Sequence, residues 1–400
     1  MAWGRRLLIG GGVLAAGAGA TWAGFLRESD YELGQARLMP PLLRGGVAGQ
    51  DRIFVLVRRA EREIARAWFH SATPAERIEL RGYEAATLAP VFASGLVSVP
   101  PGSLADARIL GQRDASLWVF VGGIGAASVV DGRMLADQAG IGERVAGIRD
   151  FTFRPGHNLF FDGELEFTDA GRRRYRIDSR TFAVTTVGPN TPSGEGGALP
   201  TGWTPGGIAR DGERRVDGTW FGLLDAGASG FDTRQIARAG TREARLWRAP
   251  IRPPGAPPAP AASPAVPGKP TPEGAASTLR RPSASPAGET LADAAPVAVE
   301  PGPILDAAFL PGTPMPLLLY RQVAGGPFRM ARLGADGAVA WRAALPLGLV
   351  ACAMPGGETL VLGGVRAGAA RGGAEVLAAV NLSTGAVVAR DLATDEAITA

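Results

Sequence analysis

Short apolar runs recur along most of the chain, each followed by turn-forming residues and a second run with strand-like alternation. The last such unit reads EVLAAVNLSTGAVVARDL, from Glu375 to Leu392, and places two apolar runs on either side of Ser-Thr-Gly. Similar units turn near Ala85, Asp131, Asp178, Asp225, Asp336 and Thr384. Asp-Gly between apolar runs is a strong hairpin signal, because both residues tolerate the positive φ of a tight reversal. The pattern predicts an all-β chain built from hairpins.

The spacing of these turns predicts how the hairpins are organised. Consecutive turns lie 46, 47, 47 and 48 residues apart, and the 111-residue step from Asp225 to Asp336 contains a Pro/Ala/Ser-rich stretch at 250–303. A period of about 40–50 residues with four short strands is typical of β-propeller blades. We predict a single β-propeller of six to seven four-stranded blades, formed by residues 40–249 and 304–397. The stretch 250–303 buries too little apolar area to order itself and is predicted to be a disordered loop.

Closing a propeller into a ring removes two unpaired sheet edges, which favours closure. We therefore expect the strand near Asp51 to Val57 to join the last blade.

Two of the units carry a family resemblance. EVLAAVNLSTGAVVARDL and FRMARLGADGAVAWRAAL are similar to the repeat of quinoprotein-like (PQQ-like, WD40-like) β-propellers, which combine an Ala-rich strand, a Thr-Gly or Asp-Gly turn and a strand ending near Trp. Trp341 stands at the family's tryptophan position, where Phe92, Thr186 or Ala389 stands in other units. The resemblance implies the propeller fold. It also raises a quinone-dependent dehydrogenase as an alternative function, although the adjacent cysteine pair of many such enzymes is not in this sequence.

The N-terminal residues 1–30 have the pattern of an export segment. Arg5-Arg6 precedes an uncharged stretch at 7–26, which is about the length that spans a bilayer as a helix. Small residues around Ala18 offer a cleavage site, so a cleaved signal peptide and a retained inner-membrane anchor both stay open. In either case the rest of the chain is predicted to be periplasmic. The single cysteine, Cys352, excludes an intrachain disulfide and is predicted to be a buried thiol.

Charge adds one candidate binding patch. The net charge is +4 and the pI is about 9.8, but arginines are scattered among acidic residues, so we expect no nucleic-acid partner. Strand alternation places Arg172, Arg174 and Arg176 on one side of the run Arg172–Arg176, where they could contact an anionic ligand or a protein. The alternative is a solvated outer strand.

Other chemistry-bearing residues predict no active site. His70 and His157 lack metal-ligand spacing. Glu164 and Glu166 lie two residues apart, which would suit a glycosidase or calcium site but is more typical of a solvated strand face. The glycine-rich stretch Gly122–Gly132 follows no βαβ pattern and does not predict a phosphate site. No catalytic residue, cofactor or metal is assigned.

We therefore expect an exported, non-catalytic binding or scaffolding module of the bacterial cell envelope with a protein partner. A quinoprotein-type dehydrogenase or a hydrolase, with its site in the central channel, is the alternative.

Overall fold

The computed structural model describes fourteen segments of the 400-residue chain. They are residues 36–64, 72–100, 107–137, 140–141, 159–161, 164–168, 173–188, 203–204, 207–208, 212–226, 243–252, 290–291, 293–369 and 375–398. The proposed export segment at 1–30, including the apolar stretch 7–26, lies outside them. All named elements in these segments are β-strands, so the all-β prediction is confirmed. Within the described residues, no helix has the length and hydropathy to cross a membrane.

The chain divides into two compact units, of which the first comprises residues 1–198, 369–375 and 391–396. It contains three antiparallel sheets of four strands. The first sheet has the order β1 (Ala36–Val47), β2 (Gln50–Ile64), β3 (Ala72–Glu84) and β4 (Pro90–Val99). The second has the order β5 (Ala107–Arg113), β6 (Ser116–Val121), β7 (Ile124–Ser128) and β8 (Met134–Ala136). The third pairs β9 (Leu159–Phe161), β10 (Glu164–Thr168), β11 (Arg174–Ile177) and β12 (Val184–Val187) in the same manner.

The second unit comprises residues 199–368, 376–390 and 397–400. It begins with a short pair, β13 (Trp203–Thr204) and β14 (Gly207–Ile208). The next sheet is formed by β15 (Glu213–Val216), β16 (Thr219–Asp225), β17 (Ala244–Arg252), β18 (Thr290–Leu291) and β19 (Ala295–Val297). It is followed by β20 (Leu305–Phe309), β21 (Leu317–Arg321), β22 (Arg329–Leu333) and β23 (Val339–Ala344). The last sheet has β24 (Leu347–Gly356), β25 (Thr359–Arg366), β26 (Glu375–Asn381), β27 (Val387–Asp391) and β28 (Ala397–Ile398).

Within each unit, consecutive sheets stack face to face through apolar clusters. In the first unit, Phe54 and Leu80 of the first sheet pack with Leu117 and Val119 of the second. The opposite face of the second sheet packs on the third through a cluster that includes Trp118. Two further clusters join the three large sheets of the second unit. Fully burying a Val, Leu, Ile or Phe side chain contributes roughly 1.5–3 kcal/mol, so these clusters stabilise the stacked sheets.

A five-residue turn recurs at the ends of the sheets and accounts for four of the six turn positions in the sequence pattern. It occurs at Glu84–Leu88, Ser128–Gly132, Asp178–Phe182, Asn381–Gly385 and Asp391–Asp395. In each case the N–H of the fifth residue donates to the carbonyl of the first at 2.8–2.9 Å, and the fifth residue has a positive φ of 53–76°. The predicted turns near Ala85, Asp131, Asp178 and Thr384 all fall within this motif, between the third and fourth strands of their sheets.

The predicted turn at Asp225 occupies a different place. Asp225 is the last residue of β16, so it marks the connection between the second and third strands of its sheet. The connection between the third and fourth strands of that sheet is the Pro/Ala-rich stretch itself. The range predicted as a loop, 250–303, includes strand residues at both ends. The strand β17 continues to Arg252, and β18 begins at Thr290 and pairs with it through Ile251 and Leu291. The long insertion therefore interrupts one sheet.

The expected pairing of the Asp51–Val57 strand with the last sheet is wrong. Both edges of β2 are occupied, since Ile53 lies opposite Arg44 of β1 and Tyr83 of β3. The first four strands follow one another closely enough in sequence to complete their own sheet.

Side-chain contacts connect the C-terminal segment to the first sheet in place of strand pairing. Within the first unit, Arg81 donates to the Leu392 carbonyl at 2.6 Å and the Tyr83 hydroxyl bonds Asp395 at 3.1 Å.

Candidate functional site

The predicted arginine patch forms an ion-pair cluster on the third sheet. Arg174 and Arg176 lie on the same side of β11, as alternation predicts, and Arg172 lies outside the described residues. Glu166 of β10 lies opposite Arg176 in the register and accepts hydrogen bonds from both arginines, at 2.9 Å from Arg174 Nη2 and 3.1 Å from Arg176 Nε. Arg176 also approaches Glu164 at 3.3 Å.

Burial and pairing have opposite effects on the pKa of Glu166, which is only 4% exposed. Burial raises the pKa, but the hydrogen bonds and charges of Arg176 and Arg174 prevail and hold it below its usual range. Two arginines and two glutamates cancel in charge. An anionic ligand would have to displace Glu166 and Glu164 from these arginines, so the geometry favours a structural role for the cluster.

The other candidate groups in the sequence are two histidines and one cysteine. His70 and His157 lie outside the described residues. Cys352 is buried as predicted, and its thiol faces the Gly363 carbonyl at 3.7 Å. Among the described residues, no group of three His, Cys, Asp or Glu side chains is arranged to hold a metal ion.

A cleft of about 250 Å³ lies in the first unit, between the first and second sheets. Its ten lining residues are Leu96, Val97, Val119, Val121, Gly122, Gly123, Ile124, Gly125, Met134 and Asp137. Six have apolar side chains and three are glycines, so most of the wall is apolar. Two of the glycines form the turn between β6 and β7, where the missing side chains leave the rim open.

Two β-bulges shape the walls of this cleft. In β4, Val97 pairs with Ile78 and Gly95 pairs with Glu79, so Leu96 is an extra residue without a partner opposite it. The bulge interrupts alternation, and both Leu96 and Val97 line the cleft. In β8, Leu135 is the extra residue and is 40% exposed, whereas Met134 lines the cleft. Bulges of this kind occur at sheet edges and beside functional sites, where they redirect side chains.

Asp137 supplies the only charged side chain among the residues that line the cleft. It follows β8 directly, and one oxygen, Oδ1, accepts the Gly140 N–H at 2.8 Å. This bond fixes the carboxylate at the N-terminal start of a helical turn that includes residues 140–141. The cleft therefore combines apolar contact with one exposed anionic group, an arrangement suited to binding a group that has an apolar stem and a positive end.

Sequence reasoning missed the cleft, although two signals were present. The stretch Gly122–Gly132 predicts a hairpin turn at Asp131-Gly132 and no phosphate site, but its first glycines are part of the rim of the cleft. In β4, the adjacent pair Leu96-Val97 departs from alternation, which is the sequence signature of a bulge. Asp137 has no comparable signal, because its position depends on the turn that follows β8.

Comparisons with known proteins add little. No protein-family model and no curated protein matches the chain. Among solved structures, a luciferin-regenerating enzyme is similar at a TM-score of 0.18 and 9% identity, covering 85% of this chain and 86% of that one. At such a low TM-score the likeness supports no statement about fold or function.

Proposed function

We propose that the chain is an exported, non-catalytic binding or scaffolding module of the bacterial cell envelope, and that it binds a protein partner through the cleft of the first unit. Its six large sheets would be the blades of a single β-propeller of the quinoprotein-like repeat type. The stacking of three sheets in each unit and the recurrent five-residue turn support this architecture.

The cleft is the observation that carries the functional proposal. It lies between β4 and β8, the last strands of two stacked sheets, and its walls are mostly apolar. An apolar concavity with one oriented carboxylate is suited to binding another molecule, since it provides apolar contact area and a single directional charge. The arginine cluster is less suited to this role because its charges are already paired.

The basic and apolar pattern of residues 1–30 supports export. The proposed place of action is the periplasm, with residues 7–26 either removed or retained as a tether.

Affinity capture from solubilised envelope tests this function. Val121→Trp fills the cleft from its partly exposed wall, and Val323→Trp makes the same change at a site that is 67% exposed in the second unit. We expect a specific protein to be captured by the wild-type chain and by Val323→Trp, and to be lost with Val121→Trp.

Two results would refute the proposal. Capture that is unaffected by Val121→Trp would exclude the cleft as the binding site. Release of a quinone or of stoichiometric calcium on denaturation, without a captured protein, would favour the enzyme alternative.

A further inference from the structure

The edge of the first sheet beside the cleft has an unusual composition. The strand β4 is last in the order of its sheet, and in the described part of the chain its strand pairing is with β3. Its ten residues, PVFASGLVSV, include no charged side chain. Natural edge strands are usually protected by charges, by short length or by cover, because their free N–H and C=O groups invite another strand. An uncharged edge of this length is suited to pairing.

The bulge at Leu96 connects this edge with the cleft. A strand added beside β4 would lie about 4.8 Å away, and alternate side chains would point toward the second sheet. Leu96 and Val97 mark the position along β4 where that side opens into the cleft. One side chain of an added strand would therefore enter the cleft, and its neighbours in sequence would point away.

The size and chemistry of the cleft select the kind of side chain. A volume of about 250 Å³ is below the 300–1,000 Å³ of sites for drug-sized ligands, and suits one long side chain. The apolar wall fits an alkyl stem, and Asp137 fits a positive end. Lysine and arginine combine both features, and arginine can donate two hydrogen bonds to one carboxylate.

We propose that β4 pairs with an extended segment of the protein partner as a fifth strand, and that this segment places an arginine or lysine side chain in the cleft toward Asp137. The inference rests on the proposed function for its binding surface. It adds the mode of binding, which is strand addition, and the chemical class of the anchoring residue.

Labelled synthetic peptides test the mode of binding by fluorescence anisotropy. The probe is a peptide as long as β4 that alternates valine and threonine around a central arginine, with both ends blocked. Matched peptides carry glutamate or norleucine at the centre, and two further versions are N-methylated on one or the other alternate set of residues. We expect the arginine peptide to bind most tightly. N-methylation should abolish binding for one set and be tolerated for the other, because only one set faces the edge.

Variants of the full chain test the anchor. Asp137→Asn keeps an oxygen that can accept the Gly140 N–H and removes the charge, so the turn should be retained. We expect about threefold or greater weakening of the arginine peptide, and little change for the norleucine peptide. Asp131→Asn alters another exposed carboxylate in the preceding turn and should leave binding unchanged.

Several outcomes would overturn the inference. These are the absence of binding by every peptide, equal binding of the glutamate peptide, and equal tolerance of both N-methylated sets. Propylguanidinium that binds as tightly as the peptide would indicate a site for small cations and refute strand addition. If the full chain captures a Val121→Trp-sensitive partner while no peptide binds, the proposed function stands and this inference fails. If neither is observed, both fail.

Discussion

The contact between Trp341 and the last recurrent turn provides a quantitative test of how the sheets are joined. Trp341 of β23 donates from Nε1 to the Leu382 carbonyl at 2.9 Å, and its ring lies over Gly385. A Cβ added at Gly385 would lie 2.7 Å from Cδ2 of that ring. The variant Gly385→Ala places a Cβ atom against this ring.

Two costs add at this position. Gly385 has a φ of +76°, and a left-handed conformation costs an L-residue about 1–2 kcal/mol. The clash with a ring that is held by a hydrogen bond adds about 1–3 kcal/mol of overpacking. We expect Gly385→Ala to lower the free energy of unfolding by about 2–5 kcal/mol.

A matched control separates the two costs. Gly218, in the hairpin between β15 and β16, has a φ of +72°, and an added Cβ there would have no atom within 4 Å. Gly218→Ala should therefore lose only the backbone part, about 1–2 kcal/mol. Urea unfolding followed by tryptophan fluorescence measures both variants. Equal losses of stability at the two positions would contradict this prediction, because they would show that Trp341 does not restrict the turn.

Three further predictions concern buried groups. Burial raises the pKa of Glu375 to about 7 despite the hydrogen bond from the Leu38 N–H, so the folded protein should lose on the order of 3 kcal/mol of stability as pH rises from about 4.5 to 7. Glu375→Gln should lack this loss in unfolding titrations at several pH values, and an identical pH profile would contradict the assignment. Glu166→Gln should lower the free energy of unfolding at neutral pH by about 1–3 kcal/mol, since it removes the charge that two arginines contact. Pairing with the arginines lowers the pKa of Glu166. The difference in free energy of unfolding between the wild-type protein and Glu166→Gln should therefore vanish as pH falls through that lowered pKa. Cys352, 1% exposed, should react with a thiol reagent only after unfolding, and rapid labelling of the native protein would disprove its placement.

Much of the fold could be predicted from local sequence chemistry. Several turns can be predicted because residues that tolerate positive φ, or that accept backbone hydrogen bonds, stand between apolar runs. These are the turns at Asp131-Gly132, Asp178 and Thr384-Gly385. Asp225 resembles these turn residues because it is also a polar residue at a strand end. Asp225 lies one period after Asp178, but the connection between the third and fourth strands of its sheet is the Pro/Ala-rich insertion.

The candidate site was much harder to predict. Its walls come from three strands of the second sheet and one of the first, and their approach depends on stacking that no local pattern encodes. Glu164 and Glu166 show the converse problem. Their spacing suggested a solvated face, whereas the neighbouring strand supplies two arginines that allow Glu166 to be buried.

The recurrent turn offers a main-chain carbonyl as a hydrogen-bond acceptor, and this affects how far the sequences of the repeats can diverge. In four turns the carbonyl of the second residue accepts a hydrogen bond from the side chain of another strand: Val129 from Arg52, Ser179 from Ser116, Leu382 from Trp341 and Leu392 from Arg81. Because the acceptor is a main-chain atom, it persists whatever side chain occupies that position. The donors also differ in type, since any group with an N–H or O–H can serve. Repeats joined in this way can diverge in sequence while keeping their geometry, which accounts for a period that is regular in spacing and faint in residue identity.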